Sequence, residues 1–240
     1  MVAPLSLGID IGGTFTDLVI LDPSDGRAVI WKESTTPDDP SRGAMLGLAR
    51  LLEKGGIAPA SIGRVVHATT LFTNALIERK GAATGLLTTA GFADVLEIGR
   101  ERKYELYDLF LEMPKPLVPR PWRREAIERL APDGKVETPL DTKAMLHEVE
   151  FLAQQGITSL AICFLHAYAN PAHEQLAAEL IARHFPGMSV TLSSDIAPEI
   201  REYPRCVTAV ANAYVRPIAE TYLDNLETAL KKAGIPGGLF

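Results

Sequence analysis

The feature that most constrains the fold of this chain is a very short turn between two apolar runs near its start. Residues 5–11 and 18–22 are mostly apolar, and the Gly-Gly-Thr of residues 12–14 lies between them. Adjacent glycines allow a tight turn, and short apolar runs bounded by turn signals are typical of strands. The sequence therefore predicts strand, tight turn, strand. A second turn at 22–26 predicts a third antiparallel strand over 28–33.

Helix and strand patterns alternate through much of the remaining chain, which predicts an α/β fold. The last helical pattern runs from Glu199 to Lys232, where Pro204 and Pro217 predict two shorter helices or one kinked helix. The other predicted elements are a helix ending at Gly55-Gly56, a strand at 64–68, a helix from Thr69 or Thr70 to Lys80, a strand at 84–88, helices at 141–155 and 171–184, and strands at 159–165 and 189–193.

The segment 99–139 breaks this alternation, because its prolines exclude long regular elements. Its aromatic residues supply apolar surface to bury, which predicts an ordered insertion or interface arm rather than disorder. These aromatics are Tyr104, Tyr107, Phe110 and Trp122. We therefore divide the chain into three parts. Residues 1–98 carry the hairpin, residues 99–139 form the insertion, and residues 140–240 hold the remaining α/β part. Residues 234–240 are expected to form a linker to a further domain.

Composition narrows the possible functions. The 24 Lys and Arg residues against 30 Asp and Glu give a formal net charge of -6, which argues against a nucleic-acid-binding face. The two cysteines, Cys163 and Cys206, are too few for a disulfide framework and fit a reducing cytoplasm. The apolar stretch 159–169 is too short to span a bilayer, so no membrane insertion is expected.

The first turn has the chemistry of a phosphate site. Gly12 and Gly13 allow close approach of an anion, while main-chain N–H groups and the hydroxyl of Thr14 or Thr16 donate to phosphate oxygens. Asp10 and its counterpart Asp17 on the return strand are placed to hold hydrated Mg²⁺ or orient a nucleophile. The structural alternative is a plain hairpin turn. No Walker A or dinucleotide-binding motif is present.

This hairpin resembles the first phosphate loop of the actin-like ATPase superfamily, in which it joins the first two strands of an RNase H-like mixed sheet flanked by helices. The sequence is more narrowly similar to the hydantoinase A/5-oxoprolinase family along nearly its whole length. The matching blocks are residues 14–17, 67–79, 91–100, 116–120 with 128–129, and 199–205 leading to 212–214. Ala68 and Phe72 depart from the family pattern, and Phe72 is placed to narrow a substrate pocket.

The resemblance implies ATP-dependent ring opening of a cyclic amide, such as 5-oxoproline, a hydantoin or a lactam, through phosphorylation of the carbonyl oxygen. It implies ATP and Mg²⁺, with Asp10 as the catalytic residue and Asp10 and Asp17 at the metal. The expected nucleotide contacts are Gly12, Gly13, Thr14, Phe15, Thr16 and Asp17, and the expected substrate contacts are His67, Thr69, Thr70 and Asn74. The implied partners are a second half of the protein and a hydantoinase B-type subunit.

Two other functions stay open at this point. Related subunits occur in ATP-dependent ketone carboxylases of the acetone carboxylase type, and a non-catalytic assembly module would also carry this fold. Arg201, Glu202 and Arg205 are expected to form a solvated or salt-bridged helix face, with binding of an acidic substrate group as the alternative. Asp94, Glu97 and Arg100 are expected to anchor an interface or the insertion, with catalysis as the alternative. Metal binding by His166 and His173 is not expected, because no further ligands are evident.

Overall fold

The computed structural model describes residues 4–36, 38–100, 105 and 107–240. The strands are β1 (Leu5–Ile11), β2 (Phe15–Leu21), β3 (Ala28–Ser34), β4 (Ile62–Thr69), β5 (Thr84–Thr89), β6 (Arg123–Ala126), β7 (Arg129–Leu130), β8 (Val136–Thr138), β9 (Ser159–Cys163), β10 (Ser189–Leu192) and β11 (Gly238–Leu239). The helices are α1 (Pro40–Gly55), α2 (Leu71–Ile77), α3 (Val95–Ile98), α4 (Thr142–Gln154), α5 (Ala172–His184), α6 (Ser193–Ile196) and α7 (Glu202–Lys232).

The chain forms two compact units, each with its own sheet. Unit 1 comprises Met1–Glu78 and Ile218–Phe240, and unit 2 comprises Arg79–Pro217. The five strands of unit 1 lie in the order β11-β4-β1-β2-β3. The β1, β2 and β3 meander is antiparallel, whereas β4 pairs parallel to β1 and β11 pairs parallel to β4. This is the predicted RNase H-like mixed sheet, so the predicted fold class is confirmed.

One face of the unit 1 sheet carries its core. Leu7, Ile9 and Ile11 alternate onto this face of β1 and pack with residues of α1 and of the second half of α7. Helix α1 begins where the Asp39 side chain accepts a hydrogen bond from the Ser41 N–H, and it ends at a left-handed glycine. Each buried leucine or isoleucine contributes about 1.5–3 kcal/mol, so this face holds the hairpin strand in place.

Unit 2 is built on a parallel sheet in the order β10-β9-β5-β6. Every residue of β5 and β9 is buried, as expected for a parallel sheet covered on both faces. Residues of α4 and α5 pack on one face, and residues of α3 and the first half of α7 belong to the other core cluster. Unit 2 is therefore an α/β layer structure of its own.

The structure corrects one expectation, about the last residues. The predicted linker 234–240 instead contains β11, and the Phe240 N–H donates to the Val65 carbonyl at 2.9 Å. The predicted strand at 84–88 is confirmed as β5, and it lies in the sheet of unit 2. Sequence periodicity identifies strands, whereas partner choice depends on residues far apart in the chain.

The proline-rich segment 99–139 is also different from the expectation. It contributes β6, an edge strand of the parallel sheet, so part of it is core rather than an added arm. Tyr107 and Phe110 are 89% and 90% exposed, contrary to the expectation that they bury apolar surface, whereas Trp122 packs against two core clusters. Tyr104 lies outside the described residues.

The helices also depart from the predicted bounds in two places. Helix α7 is a single 31-residue helix that contains Pro217, and Pro204 lies in its first turn, where a missing N–H has little cost. Helix α2 ends at Ile77, short of Lys80, and Arg79 takes a positive φ of 55°. Among the described residues, none of the helices has the length and apolar character required to cross a bilayer.

Candidate functional site

The hairpin between β1 and β2 forms the predicted tight turn. The Gly12 N–H donates to the Phe15 carbonyl at 3.0 Å and closes the turn, while Gly13 and Thr14 lie exposed at its tip. Within the described part of the chain, the N–H groups of Gly13 and Thr14 have no hydrogen-bond partner. Unpaired adjacent N–H groups on an exposed turn form a concave donor surface for an anion.

Thr35, which follows β3, fixes the position of this turn. Its N–H donates to the Thr14 carbonyl at 2.9 Å, and its hydroxyl donates to the Gly12 carbonyl at 2.9 Å. The same hydroxyl oxygen lies 3.0 Å from the Thr16 hydroxyl, which is fully buried. Since the single proton of Thr35 goes to Gly12, the Thr16 hydroxyl donates to Thr35. Thr35 thus binds the Gly12 and Thr14 carbonyls, which leaves the N–H groups of Gly13 and Thr14 as the exposed groups of the turn.

Asp10 and Asp17 are direct cross-strand partners in the β1 and β2 ladder, so their side chains project from the same face of the sheet. Both are exposed, but their surroundings differ. Lys32, the cross-strand partner of Asp17 on β3, pairs with the Asp17 carboxylate at 2.7 Å. Asp10 lies beside Ala68 of β4 and makes no ion pair with any residue that the structure describes. Asp10 is therefore the carboxylate left available to a ligand.

The end of β4 brings three predicted residues to the hairpin. The Thr69 hydroxyl donates to the Ile11 carbonyl at 3.0 Å and accepts from the N–H of Leu71, the first residue of α2, at 3.1 Å. The Asn74 amide donates to the Thr70 hydroxyl at 3.4 Å. A Cβ placed on Gly13 would lie 3.5 Å from the Asn74 Nδ2 atom, so this amide faces the turn. Thr70 and Asn74 thus add polar groups beside the hairpin tip.

His67, an expected substrate contact, is hydrogen-bonded within the protein through both ring nitrogens. Its Nδ1–H donates to the Ile9 carbonyl at 3.2 Å, and its Nε2 accepts from the Tyr222 hydroxyl at 2.8 Å. Burial lowers the pKa of His67, and burial with the nearby charge of Asp39 raises the pKa of Tyr222. His67 is therefore a neutral ring that links α7 to the strand bearing Asp10.

The structure distributes the remaining predicted contacts as follows. Phe15 is exposed at the turn, with the Lys32 ammonium 5.1 Å from its ring centroid. Thr16 points into the interior, so its hydroxyl supports the turn from below, and Phe72 packs against the unit 1 core. Sequence reasoning did not identify Thr35, Lys32 or Tyr222. Thr35 and Lys32 follow from β3 pairing register, whereas Tyr222 is 155 residues from His67 and carried no local signal.

Asp10 and Asp17 also bear on the predicted Mg²⁺ site. Among the described residues, no group of three or more His, Cys, Asp and Glu side chains is arranged to hold a metal. Mg²⁺ at phosphate sites needs only one or two carboxylates, because phosphate oxygens and waters complete its octahedron. The two in-register carboxylates therefore fit a phosphate-bound Mg²⁺, and they do not fit a closed protein cage.

Comparison with known proteins identifies similar sequences along the whole chain. Residues 6–185 match the model of the hydantoinase/oxoprolinase N-terminal region. The chain is 40% identical over 243 residues to an uncharacterised protein of Methanocaldococcus jannaschii, covering 100% of this chain and 35% of that protein. It is 35% identical over 234 residues to the caprolactamase subunit alpha of Pseudomonas jessenii, covering 95% of this chain and 34% of that subunit.

Two solved structures have the same fold over nearly the whole chain. The crystal structure of ATP-dependent caprolactamase from Pseudomonas jessenii superposes with a TM-score of 0.88 at 34% identity, covering 98% of this chain and 35% of that one. The nucleotide-free structure of acetone carboxylase gives a TM-score of 0.86 at 27% identity, covering 96% and 35%. The chain thus spans about a third of the length of these relatives.

Proposed function

The chain belongs to the hydantoinase/oxoprolinase family, and from that premise we propose that it is the N-terminal, phosphate-binding part of an ATP-dependent cyclic-amide hydrolase. The observation that carries the proposal is the hairpin tip: among the described residues, the N–H groups of Gly13 and Thr14 have no hydrogen-bond partner, and Asp10 of the adjoining strand β1 has no ion-pair partner. Donors and a carboxylate at one exposed turn suit a phosphate chain and its cation.

In this proposal each group at the turn has a separate task. The N–H groups of Gly13 and Thr14 bind phosphate oxygens, and the Asn74 amide adds a donor from α2. Asp10 and Asp17 would hold Mg²⁺, which when bound withdraws negative charge from the phosphates. Asp17 is already paired with Lys32, so Asp10 is the principal ligand and the group that orients a nucleophile. Thr35 and Thr16 keep the turn fixed before the ligand arrives.

The chemical role follows from the poor reactivity of amides. Transfer of a phosphoryl group from ATP to the carbonyl oxygen of a cyclic amide releases ADP and makes the carbonyl carbon a better electrophile. Water adds to that carbon, and the ring C–N bond breaks with the amine as the leaving group. Hydrolysis of the resulting acyl phosphate then gives the ring-opened amino acid and inorganic phosphate. We propose that Thr69, Thr70 and His67 border the substrate side of the site. His67, neutral and doubly bonded, would position the β1 strand through the Ile9 carbonyl rather than exchange a proton.

The remaining part of the site is proposed to come from elsewhere in the protein. The chain spans about a third of its relatives, and the caprolactamase relative is named as a subunit alpha, so a second half and a B-type subunit are proposed partners. The proposed compartment is the cytoplasm, because Cys163 and Cys206 are both free thiols.

The experiment that tests the phosphate site is thermal unfolding of the chain with and without MgATP and MgADP. A ligand that binds only the folded state stabilises it by about 2.7 kcal/mol at a hundredfold excess over its dissociation constant. The expected result is an upward shift in Tm for the wild type that is lost in Asp10→Asn. The matched control is Asp25→Asn, which removes the same charge from the exposed second turn and should keep the shift. An equal shift in all three proteins would contradict the proposal.

A ketone carboxylase activity is the second candidate, because acetone carboxylase shares the fold at 27% identity. Both reactions use phosphoryl transfer to an oxygen, so the hairpin would serve either one. The two are separated by products of the assembled enzyme: a hydrolase releases a ring-opened amino acid without bicarbonate, whereas a carboxylase incorporates labelled bicarbonate into its product. The higher identity to caprolactamase favours the hydrolase.

A further inference from the structure

A second candidate site lies in unit 2, and its lining contains no residue of the hairpin. A cavity of about 510 Å³ is lined by the last residue of α3, Ile98, and the two residues after it, and by Arg201 together with the first three residues of α7. This volume is within the usual range for small-molecule sites. Gly99 and Tyr203 meet across it, since a Cβ on Gly99 would lie 3.7 Å from the Tyr203 ring.

The position of this cavity in the parallel sheet is one where α/β proteins bind ligands. The chain leaves β5 towards β6 on one side, and it leaves β9 through α5 towards β10 on the other side. Ligands bind in the crevice outside the carboxyl ends of two strands whose connections diverge in this way. The Arg205 Nη2 atom donates to the carbonyl of Phe164, the residue that follows β9, at 2.8 Å. The first turn of α7 therefore lies at that edge.

The cavity lining carries more positive than negative charge. Asp94, which precedes α3, is paired with Arg120 at 2.5 Å, and Glu97 of α3 is paired with Arg123 at 2.9 Å. Both arginines lie in the segment 99–139, as expected if these carboxylates anchor the insertion. Arg100 and Arg201 both line the cavity, and neither has an ion-pair or hydrogen-bond partner within the described ranges. The two arginines face a single lining carboxylate, that of Glu202, which leaves a net charge of about +1.

Arg205, the residue after the lining residue Pro204, is a further cation and is buried. It is only 2% exposed, and its Nε and Nη1 atoms have no hydrogen-bond partner in the part of the chain that the structure describes. Its guanidinium lies 5.7 Å from the Tyr168 ring centroid. A buried guanidinium without a carboxylate at hydrogen-bond distance favours a negative charge nearby.

We infer that this cavity binds a small monocarboxylate, with Arg100 and Arg201 holding the carboxylate and Tyr203 donating a further hydrogen bond. Planar guanidinium groups match a carboxylate with two parallel hydrogen bonds. The net charge of about +1 suits a monoanion better than a dianionic phosphate. Ile98 and Pro204 supply apolar surface for a short hydrocarbon part of the ligand. The inference is independent of the proposed function, because it needs neither nucleotide nor the hairpin.

Isothermal titration calorimetry with butyrate, without nucleotide, tests this inference. The expected result is saturable binding at one site, with Kd raised at least tenfold in Arg100→Gln and in Arg201→Gln. Butyramide, which has the same tail without the charge, should bind at least tenfold more weakly to the wild type. The control Arg183→Gln removes an exposed arginine of α5 that pairs with Glu179, and it should leave Kd unchanged. Because both cavity arginines are exposed and unpartnered, their variants should retain the wild-type Tm.

Several results would overturn the inference. Equal affinity for butyrate and butyramide would show that the carboxylate charge is not recognised. A Kd for butyrate within twofold of wild type in both arginine variants would show that butyrate does not bind at this cavity. Inorganic phosphate binding more tightly than butyrate would replace the carboxylate with another anion. The variant Asp10→Asn should still bind butyrate, so loss of nucleotide binding at the hairpin and loss of butyrate binding at this cavity are separate outcomes.

Discussion

Replacement of Thr35 by valine tests whether the hairpin is held from below as the structure indicates. Valine keeps the shape of threonine but removes the hydroxyl that donates to the Gly12 carbonyl and accepts from Thr16. The lost hydrogen bond costs about 0.5–1.5 kcal/mol, and the Thr16 hydroxyl, which is 0% exposed, loses its acceptor at a further cost of about 1–3 kcal/mol. We expect Thr35→Val to lower the free energy of unfolding of unit 1 by roughly 2–4 kcal/mol.

The paired variant separates the two contributions. Thr16→Val removes only the donor, so it should cost about 0.5–1.5 kcal/mol while Thr35 keeps its bond to Gly12. In the double variant no buried hydroxyl is left without a partner. Its total cost should therefore be smaller than the sum of the single costs by about 1–2 kcal/mol.

Urea unfolding followed by tryptophan fluorescence measures these values. Trp31 lies on β3 in unit 1 and Trp122 lies in unit 2, so a Trp122→Phe background makes the signal specific to unit 1. All four proteins should unfold with the same m value, which makes their free energies comparable. Strict additivity of the two single variants would refute the hydrogen bond between Thr16 and Thr35, and a cost below about 0.5 kcal/mol for Thr35→Val would refute the support of Gly12.

Two further predictions concern contacts at a distance in sequence. In wild type, burial lowers the pKa of His67 in the folded state below 6.5, so the stability that the neutral ring contributes is complete above that pH and declines as the pH falls below it. Tyr222→Phe should raise the pKa of His67 in an NMR titration and make that decline in stability shallower. An unchanged pKa of His67 would contradict the hydrogen bond between the two side chains. In unit 2, a Cβ on Gly81 would lie 2.1 Å from the Tyr214 ring, so Gly81→Ala should lower the free energy of unfolding by about 1–3 kcal/mol. Urea unfolding followed by the fluorescence of Trp122 measures this change. The control Gly187→Ala, at a position with open space around it, should leave the free energy of unfolding nearly unchanged.

Local sequence pattern predicted most elements because their apolar periodicity and turn residues are local properties. The β1 strand was predicted at its observed bounds, and α4, α5 and β10 agree within a residue or two. The pattern did not predict that the last residues form β11, because a two-residue strand of Gly238 and Leu239 has no periodicity to detect. It predicted the strand at 84–88 but not its sheet, because nothing local indicated that a second sheet begins there.

The candidate site shows the same division between local and distant information. The identities of Asp10, Gly12, Gly13, Thr14 and Asp17 pointed to a phosphate turn because a glycine pair, donors and carboxylates occur together in eight residues. Their separate roles depend on strand neighbours. Register places Lys32 opposite Asp17 and Ala68 opposite Asp10, so one of two similar carboxylates is neutralised and the other is left free.

This asymmetry gives a physical reason to assign the ligand-facing role to Asp10. An exposed carboxylate paired at 2.7 Å with a lysine must give up that pairing to bind a cation, and exposed pairs are worth about 0–1 kcal/mol. Asp17 is therefore weakened as a ligand but not excluded, since a phosphate chain at the turn would offer Lys32 another partner. Asp10 has no ion pair to break among the described residues. The hydrogen bond from His67 to the Ile9 carbonyl holds β1, the strand on which Asp10 lies. In the proposed site, Asp10 would therefore bind the cation without breaking an ion pair, whereas Asp17 would bind it only after the anion has drawn Lys32 away.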